Sequence, residues 1–270
     1  MTLYCGADVG ATATKVVLID ETGSVRARVV MPSGIDYAAT AESCLASALR
    51  RASAARKDVA ATVATGYGRH QVKFAQSAQT EIHCHGLGCF HLVQRPVTVV
   101  DIGGQDNKVI TIGADGRREH FKMNRKCAAG TGAFLEEIAL RLGLPPSELE
   151  RLASGAGEAV RLSSFCTVFA KTEILSHLAR GVPVTEIIRG AFHSVVARIV
   201  EMDPLEGEVV MTGGVVAHNP TVAAILAERI GRPVAIAPDP QFVGALGAAL
   251  VAWQNARQSD GGAPDAGRSL

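Results

Sequence analysis

The chain has no excess of charge. Its 270 residues include 27 basic and 26 acidic side chains, a formal net charge of +1. Nucleic acid and anionic membrane surfaces are therefore not expected as partners. Long apolar runs are missing as well. No window approaches the roughly 18 uncharged apolar residues that a membrane-spanning helix needs. The first ten residues, MTLYCGADVG, lack a charged segment followed by an apolar stretch, so no leader is expected and the reading is cytoplasmic. Two familiar phosphate-binding signatures are also absent. There is no GxxxxGK[ST] loop, and no G-x-G-x-x-G joins a strand to a helix. Six cysteines stand at 5, 44, 84, 89, 127 and 166. In a reducing compartment they are not expected to pair as disulfides, which leaves buried thiols, catalytic thiols or metal ligands.

What is present starts with a hydrophobic fraction of 47%, ample for a core. The clearest internal signal is a repeat. DVGATATKVVLI (8–19) and DIGGQDNKVITI (101–112) share an Asp, a Gly two residues on, a Lys seven residues on and an apolar run after it. Each reads as strand, glycine turn, strand, which suggests duplicated lobes. Strands are also expected at 24–31, 59–69, 97–104 and 208–216, and helices at 38–57, 132–142, 167–180, 184–202 and 242–253. The alternation predicts an α/β architecture with a ligand cleft between two lobes. From about Ser259 the tail is rich in Gly, Pro and Asp and is expected to be disordered.

Three glycine turns lie at strand ends: DVGATATK, DIGGQDNK and TGGV (212–215). A phosphate chain needs close backbone N–H donors, a cation, and carboxylates to hold Mg²⁺. Asp8 and Asp101 suit the metal or its waters. The backbone of Gly10, Ala11, Thr12, Ala13 and Thr14, and that of Gly103, Gly104 and Gln105, suits the phosphates. Lys15 can reach an anion. The bland alternative is that all three are only hairpin turns.

These turns, with the Gly/Ala-rich helix, resemble the five-motif layout of the acetate and sugar kinase, heat-shock chaperone and actin superfamily. The resemblance implies two ribonuclease-H-like lobes, an actin-like ATPase fold, with ATP in the interlobe cleft. DVGATATK and DIGGQD look like the two phosphate motifs, and TGGV, with Gly213 and Gly214, like the adenosine motif. The helices near 81–92 and 242–253 look like the two connecting helices. Lobe I is expected over 1–92, with a C-terminal helix at 242–257 returning to it. Lobe II is expected over 93–241, carrying Cys127 and Cys166, and the disordered tail over 258–270.

Cys127 precedes AAGTGAFLEEIALRL and Cys166 precedes TVFAKTEILSHLARG, so both lie at or near a helix start. A helix N-terminus favours a thiolate and any anion set against it. As nucleophiles the pair lacks an obvious relay nearby in sequence. As a zinc site it is short of ligands. Buried thiols are an ordinary alternative. Two ligands per chain become four in a symmetric dimer, and four thiolates suit a [4Fe–4S] cluster. HCHGLGCFH (83–91) packs three His and two Cys into nine residues, but it falls where the first connecting helix belongs, and helix packing is the expected role. Cys5 and Cys44 read as core.

MNRKCAAGTGAFLEE (123–137) and SSFCTVFAKTE (163–173), with ATGYGR (64–69) and DIGGQD, resemble the ATP-dependent activators of 2-hydroxyacyl-CoA dehydratases and the ATPase subunits of benzoyl-CoA reductases. That resemblance implies a homodimer sharing one [4Fe–4S] cluster through Cys127 and Cys166. It further implies ATP and Mg²⁺ as cofactors and oxygen-free chemistry. The implied electron donor is a ferredoxin or flavodoxin, and the implied acceptor an acyl-CoA dehydratase or aromatic-ring reductase. Gln105, beside the phosphates, suits the orientation of an attacking water, which favours hydrolysis over transfer. A small-molecule kinase would share the ATP site but have no use for the cysteine pair.

Overall fold

The computed structural model describes residues 1–124, 128–162 and 167–260. Cys127, Cys166 and positions 261–270 of the expected tail lie outside the described residues. The chain divides into two compact units, Met1–Gly88 with the chain from Gly244 onward, and Cys89–Val243. Each holds a five-stranded mixed sheet.

In the first unit β1 (Leu3–Val9) is central. β2 (Ala13–Asp20) and β3 (Val25–Pro32) extend the sheet antiparallel on one side. Helix α1 (Tyr37–Arg51) follows, then β4 (Val59–Thr65) and β5 (Ser77–Ala78), both parallel to β1, giving the order β3-β2-β1-β4-β5. Helix α2 (Glu81–Val93) contains the boundary to the second unit. Every residue of LYCGADV in β1 is buried, as a near-continuous apolar central strand should be. VRARVVMP in β3 alternates with water, as an edge strand does. The helix expected over 38–57 ends early. Ser53 takes a left-handed φ of 52°, and its N–H turns back to the Arg50 carbonyl.

In the second unit β6 (Val97–Ile102) is central, with antiparallel β7 (Asn107–Ile112) and β8 (Arg118–Asn124) beside it. Helices α3 (Gly132–Arg141), α4 (Leu149–Ser154), α5 (Thr167–Ala179) and α6 (Val184–Met202) follow. Strand β9 (Val209–Thr212) lies parallel to β6. Then come α7 (Gly214–His218), α8 (Thr221–Ile230) and β10 (Val234–Ile236), which completes the order β10-β9-β6-β7-β8. The two sheets are thus wired identically. This is the α/β arrangement expected from the repeat, and it agrees with the ribonuclease-H-like lobes that the resemblance implies. Phe134, Leu135 and Ile138 of α3 and Ile187, Phe192 and Val195 of α6 pack with Val100, Ile102 and Val109 as the second core.

Helix α9 (Val243–Asp260) belongs to the first unit from Gly244 onward and runs into the segment expected to be disordered. Its seat depends on Gly6. Cys5, Ala7 and Val9 face the α1 side of the sheet, and Gly6 points the other way. A Cβ on Gly6 would lie 1.9 Å from the Ala245 carbonyl oxygen, so only glycine lets α9 lie flat on β1. Gly247 of α9 meets α2 in the same manner, with a Cβ falling 1.8 Å from the Cys84 carbonyl oxygen. Cys84 and Cys89 are therefore packing residues of α2. Among the described residues no group of three or more His, Cys, Asp or Glu could hold a metal ion, and no helix is long and apolar enough to cross a membrane.

Candidate functional site

The repeat is a structural one. The antiparallel register sets Asp8 opposite Lys15 in the first hairpin and Asp101 opposite Lys108 in the second. A seven-residue spacing does this because the turn consumes the residues between the two strands. Lys15 Nζ donates to Asp8 Oδ2 at 2.9 Å, and Lys108 Nζ donates to Asp101 Oδ2 at 3.1 Å. Burial differs between the copies. Lys108 and Asp101 are both 3% exposed, whereas Lys15 is 14% and Asp8 6% exposed. Lys108 also binds Asp106, so the deeper lysine is shared by two carboxylates.

A second half of the repeat comes from the parallel neighbours. Asp8 pairs with Thr65 of β4, and Asp101 pairs with Thr212 of β9. In each case a glycine with positive φ follows, Gly66 at 91° and Gly213 at 97°. A Cβ on Gly66 would come 2.7 Å from Asp8 Oδ1, and one on Gly213 would come 2.6 Å from Asp101 Oδ1. Thr212 Oγ1 donates to Asp101 Oδ1 at 3.3 Å, whereas Thr65 Oγ1 donates to the Gln79 carbonyl. The signal for this was present in VATG (63–66) and VMTG (210–213), which sequence reasoning had not matched to each other.

Two amides of the turns are used within the turns themselves. Both glycine-rich segments are expected to offer their backbone N–H groups to phosphate. The Gly10 N–H instead bonds the Ala13 carbonyl at 3.1 Å, and the Gly103 N–H bonds the Asp106 carbonyl at 2.9 Å. The Thr14 hydroxyl is buried against Ser33 Oγ at 2.9 Å, and Ser33 in turn donates to the Gly10 carbonyl. The residues at the turn apices are Ala11 and Thr12 in one hairpin and Gly104 and Gln105 in the other; Thr12 and Gln105 are exposed. In TGGV, the Gly213 N–H bonds the Pro240 carbonyl, and Gly214 opens α7 beside Gln241.

The helix after Cys127 starts at Gly132, as expected. Four residues, Ala128–Thr131, separate that cysteine from α3. The first amides of α3 are already taken, Gly132 N–H by the Gly103 carbonyl at 2.9 Å and Ala133 N–H by the Gly104 carbonyl at 2.8 Å. Thr131 does not cap the helix with its side chain; its hydroxyl donates to the Ala128 carbonyl at 2.6 Å. The turn of the second hairpin itself satisfies the first two amides of the helix. The close fit is set by Gly132, whose Cβ would lie 3.2 Å from the Gly104 Cα. The dipole of α3 is thus directed at the hairpin. Helix α5 does begin directly after Cys166.

The thiols divide into two sets. Burial pushes Cys5, Cys84 and Cys89 up to about 12 and Cys44 up to about 11, so all four stay protonated near neutrality. The two remaining cysteines, Cys127 and Cys166, lie outside the described residues; soft thiolates are a donor type that suits an iron–sulfur centre.

Comparison with known proteins gives a consistent picture. The sequence model of the BadF/BadG/BcrA/BcrD ATPase family matches residues 5–252. The (R)-2-hydroxyglutaryl-CoA dehydratase activating ATPase of Acidaminococcus fermentans is 39% identical over 261 residues, covering 95% of this chain and 99% of that protein. The activator of lactoyl-CoA dehydratase of Anaerotignum propionicum is 40% identical over 256 residues, 94% of this chain and 98% of that one. Among solved structures, the activator of the 2-hydroxyisocaproyl-CoA dehydratase from Clostridium difficile with bound ADPNP superposes with a TM-score of 0.91. It is 34% identical and covers 99% of this chain and 100% of that one.

Proposed function

The chain belongs to the BadF/BadG/BcrA/BcrD ATPase family, and from that premise we propose that it hydrolyses ATP to drive a low-potential electron from a [4Fe–4S] cluster into a 2-hydroxyacyl-CoA dehydratase. The observation that carries the nucleotide half is the duplicated hairpin, an Asp held by a Lys and abutted by a positive-φ glycine, once in each unit. In this reading the apices Ala11–Thr12 and Gly104–Gln105 receive phosphate oxygens. Asp8 and Asp101 hold Mg²⁺ or its waters. Gln105 orients the attacking water, and Gly213–Gly214 lie against the adenosine. Each lysine fixes its carboxylate rotamer before the metal arrives, which is preorganisation of the ligand set.

The electron half rests on the donor chemistry and on relatives that are named as dehydratase activators. Cys127 and Cys166 of two chains supply the four thiolates, which makes the working unit a homodimer. The cluster supplies a one-electron reductant. The chain's own residues hold it and link its surroundings to the nucleotide. The electron donor is a ferredoxin or flavodoxin, and the acceptor is the acyl-CoA dehydratase, whose acyl-CoA substrate is hard to reduce without the ATP-driven push.

The test is anaerobic reconstitution with a 2-hydroxyacyl-CoA dehydratase. Dehydration should begin only when this protein, ATP, Mg²⁺ and a reductant are all present, and Asp101→Asn should abolish both ATP hydrolysis and activation. ATP hydrolysis with no activation of any dehydratase would overturn the electron half. A permanent complex that consumes ATP with every turnover would point instead to an aromatic-ring reductase subunit.

A further inference from the structure

The second hairpin and the segment around Cys127 are joined at more than the α3 amides, and the additional joint is Asn107. This residue opens β7 directly after DIGGQD and is 1% exposed. Its Nδ2 donates to the Gly130 carbonyl at 2.8 Å. A carbonyl can only accept, so the orientation of the amide group is fixed by its partner. Across the sheet the same residue is the register partner of Asn124, the last residue of β8. Only Arg125, Lys126 and Cys127 lie between Asn124 and Ala128 in sequence. One residue is therefore tied to the chain on both sides of Cys127: its backbone pairs with the entry at Asn124, and its side-chain amide holds the exit at Gly130.

The exit is tight. Gly130 has a φ of 82°, and a Cβ there would fall 2.9 Å from the Arg198 Cβ and 3.3 Å from Asn107 Nδ2. Two residues further on, Gly132 and Ala133 bond the carbonyls of Gly103 and Gly104. Every one of these contacts lies within the second unit. Asn107 Oδ1 is buried and has no hydrogen-bond partner among the described residues, so the side chain stays in place through its Nδ2 and its packing. A buried amide with one unmet acceptor is poor as a purely structural device, since an apolar residue would pack there without that cost.

We propose that Asn107 is a positioning residue that ties the DIGGQD turn to the chain flanking Cys127, so that a nucleotide seated on the turn alters the 128–131 segment through this side chain. The proposal rests on the nucleotide reading above. Asn107 touches neither phosphate nor metal in it; it acts through Gly130.

The experiment is hydrogen–deuterium exchange on the anaerobically purified full chain, with and without a non-hydrolysable ATP analogue and Mg²⁺, read at the amides of 128–131, before the Gly132 and Ala133 amides that bond the turn directly. Analogue affinity is measured in parallel. In the wild type, analogue binding should slow exchange there by about fivefold or more, the low end of ordinary coupling between sites. Asn107→Ala and the isosteric Asn107→Asp, which sets a carboxylate oxygen against the Gly130 carbonyl, should both bind the analogue yet lose that slowing. Should Asn107→Asp retain the full response, or the wild type bind without responding, the inference is overturned while the nucleotide reading stands. Should either variant fail to fold, Asn107→Ser, which shortens the side chain, is read in its place with the same expected and overturning results. If the wild type binds no nucleotide, the reading beneath the inference fails first, and the affinity measurement reports that separately.

Discussion

Gly213 and Gly66 show how much one hydrogen atom in place of a side chain sets in this protein. Each ends a parallel strand in the left-handed region and abuts an Asp carboxylate. Alanine at Gly213 would meet the Ile102 carbonyl oxygen at 2.4 Å besides straining the backbone. Gly213→Ala is therefore predicted to cost about 2–4 kcal/mol, summing left-handed strain and overpacking. Gly207→Ala, at a φ of 72° with nothing within 4 Å of the added Cβ, should cost only the conformational part, about 1 kcal/mol. Urea denaturation of the two variants checks this, and equal losses would refute the crowding argument. The lysines make a second contrast at this scale. Lys108→Ala removes a partner from a buried pair and should cost about 3–5 kcal/mol. Lys15→Ala should cost less, because water reaches that pair and screens it. The Asp–Gly–Lys spacing was legible in the sequence because a hairpin turns it directly into cross-strand contact. Asn107 and Gly130 were not, because 23 residues separate two groups that only the fold brings together.

At the scale of elements, the small-residue helix α9 is the sharpest case. FVGALGAALVAW announces close packing by its composition, and Gly6 and Gly247 are where the approach happens. Gly247→Val should push α9 off α2 and lower stability by about 1–3 kcal/mol, seen as a lower midpoint of thermal unfolding. An unchanged midpoint would mean that α9 does not pack as described. Central strands were readable because burial on both faces forces apolar runs such as VTVVDI. The edge strand β8, REHFKMN, was not, because an exposed edge imposes no apolar alternation on its sequence. The true start of α3 was legible, but what caps it was not. Its amides find carbonyls of a hairpin distant in sequence, and no capping side chain advertises that.

For the molecule as a whole, the thiols connect stability to function. Four folded-state values lie at about 11 to 12 against an ordinary 9.0. The folded chain keeps protons that the unfolded chain releases above pH 9. Stability from these groups is complete below pH 9 and is lost as pH rises from there towards 12. Denaturation between pH 9 and 11 should show that fall, and Cys89→Ala should flatten it by up to about 1.4 kcal/mol per pH unit. A slope unaffected by the substitution would remove Cys89 from the set. The measurement that tests the central claim most directly is iron content after oxygen-free purification, for the wild type, Cys127→Ser and Cys166→Ser, each with its oligomeric state. The account predicts a brown wild-type dimer with about four irons per two chains, and loss of iron when either thiol is removed. A colourless, iron-poor wild type, or iron retained in both variants, would contradict it.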